Sequence, residues 1–118
     1  MIKIVVGGCR DFTDYDTVKN YLDYVLQNLR QKDEILILSG HCRGIDLLAE
    51  RYAKENNFNL KLFPADWSKG RSAGPKRNEE MILECDYVIA FWAGLSRGTK
   101  SLIYFAKKHN KDLRIKYI

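Results

Sequence analysis

Short apolar runs alternate with helix-period segments along the whole chain. Residues 2–6, Ile-Lys-Ile-Val-Val, form a β-branched run closed by Gly7-Gly8 and predict a first strand. Within residues 15–31, Val18, Leu22, Val25, Leu26 and Leu29 recur at steps of three and four, which is one face of a helix. Thr13 or Asp14 suits its cap, and Asp16 suits its first turn. Residues 35–38 are apolar throughout, as a strand covered on both faces of a parallel sheet requires, and Ser39-Gly40 closes them. A helix over 44–56 follows, with Leu47, Leu48 and Ala53 at its apolar positions. Residues 59–63 give a third strand, 64–74 a polar loop, and 75–84 a short helix opening on Pro75. Residues 87–91 are a fourth strand. A turn through Gly94 and Gly98, a helix over 99–109 and a fifth strand over 113–118 complete the pattern.

This βαβαβαβαβ order predicts an α/β fold: a Rossmann-like three-layer domain with a five-stranded, mainly parallel sheet and helices on both faces. The strand order expected is 3-2-1-4-5. With neither linker nor repeat in 118 residues, one domain over 1–118 is expected.

Composition narrows the class. The chain is 46% hydrophobic and 30% charged, which suits a packed soluble domain and not a disordered one. No stretch approaches the roughly 20 apolar residues of a membrane helix, and the first apolar run is too short for a secretion signal. Cys9, Cys42 and Cys85 are an odd count with no two-residue spacing between any pair, which supports neither a disulfide framework nor a zinc site. Reduced thiols and a cytoplasmic location are expected. The net charge of +5 favours anionic partners without naming one, and the basic residues, spread evenly, read as a solvated surface.

Ligands of an open parallel sheet bind beyond the carboxyl ends of its strands. The loops there repeatedly combine glycine with arginine. The first is Gly7-Gly8-Cys9-Arg10-Asp11-Phe12, read as a tight turn that also lets a ligand approach the backbone. The second is Ser39-Gly40-His41-Cys42-Arg43-Gly44-Ile45-Asp46, where strand-end amides and Arg43 welcome an anion. Asp46 is either a helix-start carboxylate or an acceptor for a ribose hydroxyl. His41 and Cys42 lack spaced partners and read as ordinary loop residues. The third is Gly94-Leu95-Ser96-Arg97-Gly98-Thr99, which resembles a phosphate cradle at a helix start. It lacks Walker A spacing, and no dinucleotide glycine fingerprint follows the first strand, so NAD binding has no support. Arg77 and Asn78 open the fourth helix, where they either reach the cleft or sit in solvent. Trp67 either stacks on a base or covers a core edge or subunit contact, and the second reading is preferred.

Taken in order, Gly8 to Thr13, Ser39 to Asp46, Pro64 to Trp67, Gly74 to Asn78 with Met81, and Gly94 to Thr99 resemble the YspA-like branch of the SLOG superfamily. That superfamily is named for the DNA-processing protein Smf/DprA and the LOG phosphoribohydrolases. The resemblance spans nearly the whole chain. It implies a nucleotide or nucleotide-derived ligand, bound by a sensor or ligand-binding protein. The positions named are Gly8, Cys9, Arg10, Asp11, Ser39, Gly40, Arg43, Asp46, Arg77, Asn78, Gly94, Ser96, Arg97, Gly98 and Thr99. No metal and no cofactor are expected, and no catalytic residue is assigned. The LOG enzymes carry a glutamate three residues after the glycine–threonine turn, and Leu102 stands there in this chain. Leucine cannot act as acid, base or electrostatic stabiliser. Asp11, Asp46 and Glu79 are the candidate substitutes. An N-glycosidase acting on nucleotides is therefore the alternative, and single-stranded DNA binding, permitted by Trp67, Phe91 and Trp92, ranks last. The Phe91-Trp92 and Leu102 to Phe105 stretches carry more apolar surface than one small core needs, so a homo-oligomer is expected.

Overall fold

A computed structural model describes residues 1–118. Its elements are β1 (Ile2–Gly8), α1 (Tyr15–Leu26), α2 (Leu29–Lys32), β2 (Ile35–Ser39), α3 (Ile45–Glu55), β3 (Asn59–Leu62), a 3₁₀ turn (Trp67–Lys69), α4 (Ala73–Glu84), β4 (Tyr87–Trp92), α5 (Arg97–Lys108) and β5 (Asp112–Tyr117). The five strands form one sheet in the order β3-β2-β1-β4-β5. Every neighbouring pair is parallel, with Ile4 beside Ile37 on one side of β1 and beside Tyr87 on the other. Fold class and strand order thus follow the sequence expectation. No helix is long and apolar enough to cross a membrane.

Alternation along the strands splits the core in two. Ile4, Val6, Ile37, Ile89 and Phe91 face α1 and α3, meeting Val18, Leu22, Ile45 and Tyr52. Val5, Leu38 and Val88 face α4 and α5, meeting Met81, Ile82, Leu102 and Ala106. Phe91, Leu102 and Ile103 are buried within this single chain, which removes part of the apolar surplus behind the expected self-association.

Several boundaries differ from the sequence reading, each for a local reason. The helix expected over 15–31 is broken between α1 and α2 at Gln27 and Asn28, although Leu29 continues the apolar face. Asn is a weak helix former because its side chain competes for backbone partners. Helix α4 begins two residues before Pro75, which still falls in the first turn, where a missing N–H costs nothing. Helix α5 begins at Arg97 because Ser96 caps it: its Oγ accepts from the Thr99 amide at 3.3 Å. Strand β1 runs through both Gly7 and Gly8, so the glycine pair is strand and not turn.

The chain proceeds outward from β1 to β2 and β3 on one side, then returns to place β4 and β5 on the other. The carboxyl ends of β1 and β4 therefore mark the reversal of strand order, where a crevice must open.

Candidate functional site

The two glycines of β1 are fixed by crowding. A Cβ on Gly8 would stand 2.5 Å from the Phe91 carbonyl oxygen and 2.8 Å from Ile45 Cγ1. Gly44, at φ +81, turns the second loop under the first, and the Ile45 amide donates to the Cys9 carbonyl at 3.1 Å. The loops after β1 and β2 are thereby joined into one floor.

Asp46 lies in that floor, 7% exposed, and its Oδ2 accepts from the Cys42 amide at 3.2 Å. Burial pushes its carboxyl up to about 6, opposed by the Cys42 amide and the Arg77 charge and reinforced by Glu50.

Arg77 and Asn78 are not a solvated helix start. They are 8% and 6% exposed. Arg77 Nη1 donates to the Gly40 carbonyl at 2.6 Å and to the Phe63 carbonyl at 3.1 Å, and its Nε donates to Asn78 Oδ1 at 2.9 Å. Asn78 Nδ2 donates to the Gly98 carbonyl at 3.3 Å. This chain of bonds spans the crevice from β2 to α5. Most of the Arg77 guanidinium is committed to it, and Nη2, 3.8 Å from Cys42 Sγ, is the part least used. A Cβ on Gly40 would fall 2.8 Å from Arg77 Nη1, so that glycine makes room for the arginine.

Above the floor the first turn of α5 forms a wall. Its first helical bond runs from the Lys100 amide to the Ser96 carbonyl, which leaves the Arg97 and Gly98 amides without an intrahelical acceptor. The Thr99 hydroxyl turns inward and donates to Ser96 Oγ at 3.0 Å, reinforcing the cap.

These elements border two adjoining spaces. An inner recess of about 40 Å³ is bordered by Gly7, Gly8, Asp46, Asn78, Thr99 and Leu102. Arg10, Arg77, Asn78, Ser96 and Gly98 border both it and an adjoining outer cleft of about 420 Å³. Arg71, Arg97, Trp67 and Ser101 complete the outer cleft, and no carboxylate lines it. None of the chain's ion pairs uses Arg10, Arg71 or Arg97. A larger cavity of about 510 Å³ lies at the other end of the strands, beneath the break between α1 and α2. Its walls are mostly apolar and lack the convergent donors of the cleft.

The expected site residues therefore divide. Gly8, Arg10, Gly40, Asp46, Arg77, Asn78, Ser96, Gly98 and Thr99 border the inner recess, and Arg97 joins at the outer cleft. Cys9, Asp11 and Arg43 line an adjoining groove of about 470 Å³, where Arg43 pairs with Asp11 at 3.3 Å. Ser39 is fully buried and donates to Glu50 Oε2 at 2.8 Å, so it holds α3 against β2 and borders none of these spaces. Gly94 shapes the turn into α5 at φ +91 and borders none of them either.

Trp67 is 52% exposed at the cleft mouth, with the Arg10 guanidinium 5.6 Å from its ring centroid. Gly74 leaves room for the indole: a Cβ there would stand 2.9 Å from Trp67 Cη2. The core-edge reading of Trp67 gives way to this exposed platform. Arg71 and Ser101 were missed. Arg71 follows the 3₁₀ turn, whose presence the polar loop did not announce. Of the three carboxylates considered as catalytic substitutes, only Asp46 faces the recess, beside Leu102. Glu79 is bound to His109 at 2.8 Å, and Asp11 is held outside by Arg43.

No curated protein matches the chain. Solved structures do, two of DNA processing protein A among them. DNA processing protein A from Streptococcus pneumoniae matches with a TM-score of 0.76 and 18% identity, over 98% of this chain and 50% of that one. DNA processing protein A from Helicobacter pylori, solved for its single-stranded DNA binding mode, matches with a TM-score of 0.69 and 22% identity, over 97% and 64%. This chain thus spans about half of the first and less than two thirds of the second. At such identities the likeness establishes the shared fold. The family is carried by residues 2–70, from β1 through the 3₁₀ turn, which match the model of the YspA, cpYpsA-related SLOG family, and the chain belongs to that family.

Proposed function

We propose that this protein binds a nucleotide or nucleotide-derived molecule in the cleft beyond β1 and β4, as a ligand-binding or sensing protein. One observation carries the reading: four guanidinium groups and no carboxylate line the outer cleft. Arg10, Arg71 and Arg97 are free to pair with phosphate oxygens, and the Arg97 and Gly98 amides add the positive end of α5. Trp67 offers a flat face to a base at the same mouth.

Thermal shift tests this directly. The panel holds AMP, ADP, ATP, GTP, NAD, ADP-ribose, cyclic ADP-ribose and a short single-stranded oligonucleotide, against the wild type and Arg97→Ala. A ligand at about a hundred times its dissociation constant stabilises the fold by roughly 2.7 kcal/mol. The expected result is a shift with a nucleotide that Arg97→Ala loses while keeping its own melting temperature. Flat curves throughout would remove the reading.

A second reading, single-stranded DNA binding, draws on the Helicobacter pylori neighbour and on the pairing of Trp67 with unpaired arginines. It predicts affinity for the oligonucleotide that falls steeply with salt.

A further inference from the structure

We propose that Asp46 is the sugar-recognising group of this cleft, accepting hydrogen bonds from the 2′- and 3′-hydroxyls of a ribonucleotide whose phosphates lie outward against Arg71 and Arg97. The inference rests on the nucleotide reading of the same cleft and gives it an orientation and a substrate class.

The first argument is the separation of charge. The inner recess contains one carboxylate, Asp46, and the outer cleft contains none. A phosphate pushed to the floor would meet that carboxylate, and the same phosphate in the outer cleft meets only guanidinium groups and amides. A ligand that fits both spaces has hydrogen-bond donors at its inner end and anionic charge at its outer end. A nucleotide entering sugar edge first has that polarity.

The second argument is unused acceptor capacity. A carboxylate offers about four lone-pair sites. The Cys42 amide takes one at 3.2 Å, and the Gly8 amide also faces the group. The side chains bonded around the recess donate elsewhere and not to Asp46: Thr99 Oγ1 to Ser96, Asn78 Nδ2 to the Gly98 carbonyl, and Arg77 Nη1 to the Gly40 and Phe63 carbonyls. Asp46 thus keeps lone-pair sites that no protein side chain fills, on the border of the recess where a ligand's donors can reach them.

The third argument is size. The recess of about 40 Å³ cannot take a base. At roughly 10–15 Å³ per water-sized group it has room for about three, which suits a pair of hydroxyls.

The experiment is titration calorimetry on the whole protein. The probes are the four ribonucleoside 5′-monophosphates, each beside its 2′-deoxy and 2′,3′-dideoxy counterparts, with wild type, Asp46→Asn and Arg97→Ala. Asparagine turns its carbonyl oxygen to the Cys42 and Gly8 amides and presents its NH₂ to the recess, where it cannot accept. In the wild type, the ribonucleotide is expected to bind tenfold or more tightly than the dideoxy form. Asp46→Asn is expected to bring the two to equal affinity, while Arg97→Ala weakens both alike.

If Asp46→Asn fails to fold, the wild type is titrated between pH 5 and 7.5. The titratable and charged groups around Asp46 are Arg77 from α4, Glu50 from α3 with His41 paired to it at 2.9 Å, Cys42 from the loop after β2 and Arg10 from the loop after β1, and α5 brings no ionisable group to the recess. The ribose-to-dideoxy affinity ratio should grow as pH rises through about 6, where the carboxyl ionises, while phosphate ionisation cancels in the ratio. Equal ribose and dideoxy affinities, both lowered by Arg97→Ala, would overturn the assignment of Asp46 and leave the nucleotide reading standing. No binding by any nucleotide would remove both.

Discussion

Arg77 Nη1 stands 2.6 Å from the Gly40 carbonyl oxygen, so the first turn of α4 is tied directly to the end of β2. The same guanidinium reaches the Phe63 carbonyl beyond β3 and, through Asn78, the Gly98 carbonyl on α5. One side chain therefore sets the width of the crevice, and its charge sits near the buried Asp46.

Arg77→Ala removes the donor from two carbonyls and takes away the positive charge that acts on Asp46. Losing one partner of a buried charged network costs about 3–5 kcal/mol. The expected result is a urea midpoint lowered accordingly with an unchanged slope. Unaltered stability together with lost nucleotide binding would instead make Arg77 a ligand arginine.

The contrast between Arg77 and Arg97 shows what was legible in the sequence. Parallel pairing followed from the strand–helix alternation and from apolar runs such as residues 35–38, because such runs report burial, while the strand order and the crevice it places came from the common doubly wound arrangement and not from periodicity. The arginines of the loops were visible as residue types, but their roles were not. Whether an arginine is free or committed depends on which carbonyls a long side chain reaches across the fold, here Gly40 and Phe63 from α4. Ser39 was misread for the same reason: its acceptor, Glu50, lies one helix away. Gly7 and Gly8 were read as a turn because local sequence carries no trace of Phe91 and Leu102, the neighbours that exclude a Cβ.

That crowding predicts the behaviour of Gly8→Ala. The added methyl meets a backbone oxygen and the base of Ile45, neither of which can swing aside. Overpacking of this kind costs about 1–3 kcal/mol. A fall in melting temperature of several degrees is expected, and wild-type stability would show that β1 and β4 can separate at this end.

Asp46 gives a pH dependence of unusual sign. Its folded-state carboxyl is raised from 3.8 to about 6, so the native state holds the proton more tightly than the unfolded chain. The stability this contributes is complete below the unfolded value and is lost as pH rises through the folded one. The loss is on the order of 3 kcal/mol. Asp33, Glu55 and Glu79 are shifted downward and act in the opposite sense, but they are common to wild type and variant. The stability difference between Asp46→Asn and wild type should therefore move in favour of the variant from pH 4 to about 6.5 and then level off. Urea unfolding across that range measures it. A difference that is flat with pH would mean that Asp46 titrates normally and is hydrated in the folded protein.

Gly98 separates folding from ligand binding most cleanly. A Cβ there would meet nothing closer than Ser96 Oγ at 4.0 Å, and its backbone is not left-handed, unlike that of Gly94 at φ +91. The protein alone has no steric need for glycine in this turn. Alanine in place of glycine within a helix gains up to about 1 kcal/mol, less in a first turn, so Gly98→Ala should melt at or slightly above the wild-type temperature. Gly94→Ala, in open space but with a left-handed backbone, should lose about 1 kcal/mol or more. A phosphate resting on the Arg97 and Gly98 amides changes the outcome for binding. The alanine methyl would project where the phosphate oxygens approach, and nucleotide affinity should fall tenfold or more in a protein of undiminished stability. Calorimetry on Gly98→Ala beside a melting curve gives both numbers from one preparation. Full affinity with full stability would place the phosphate away from α5, on Arg10 and Arg71 alone.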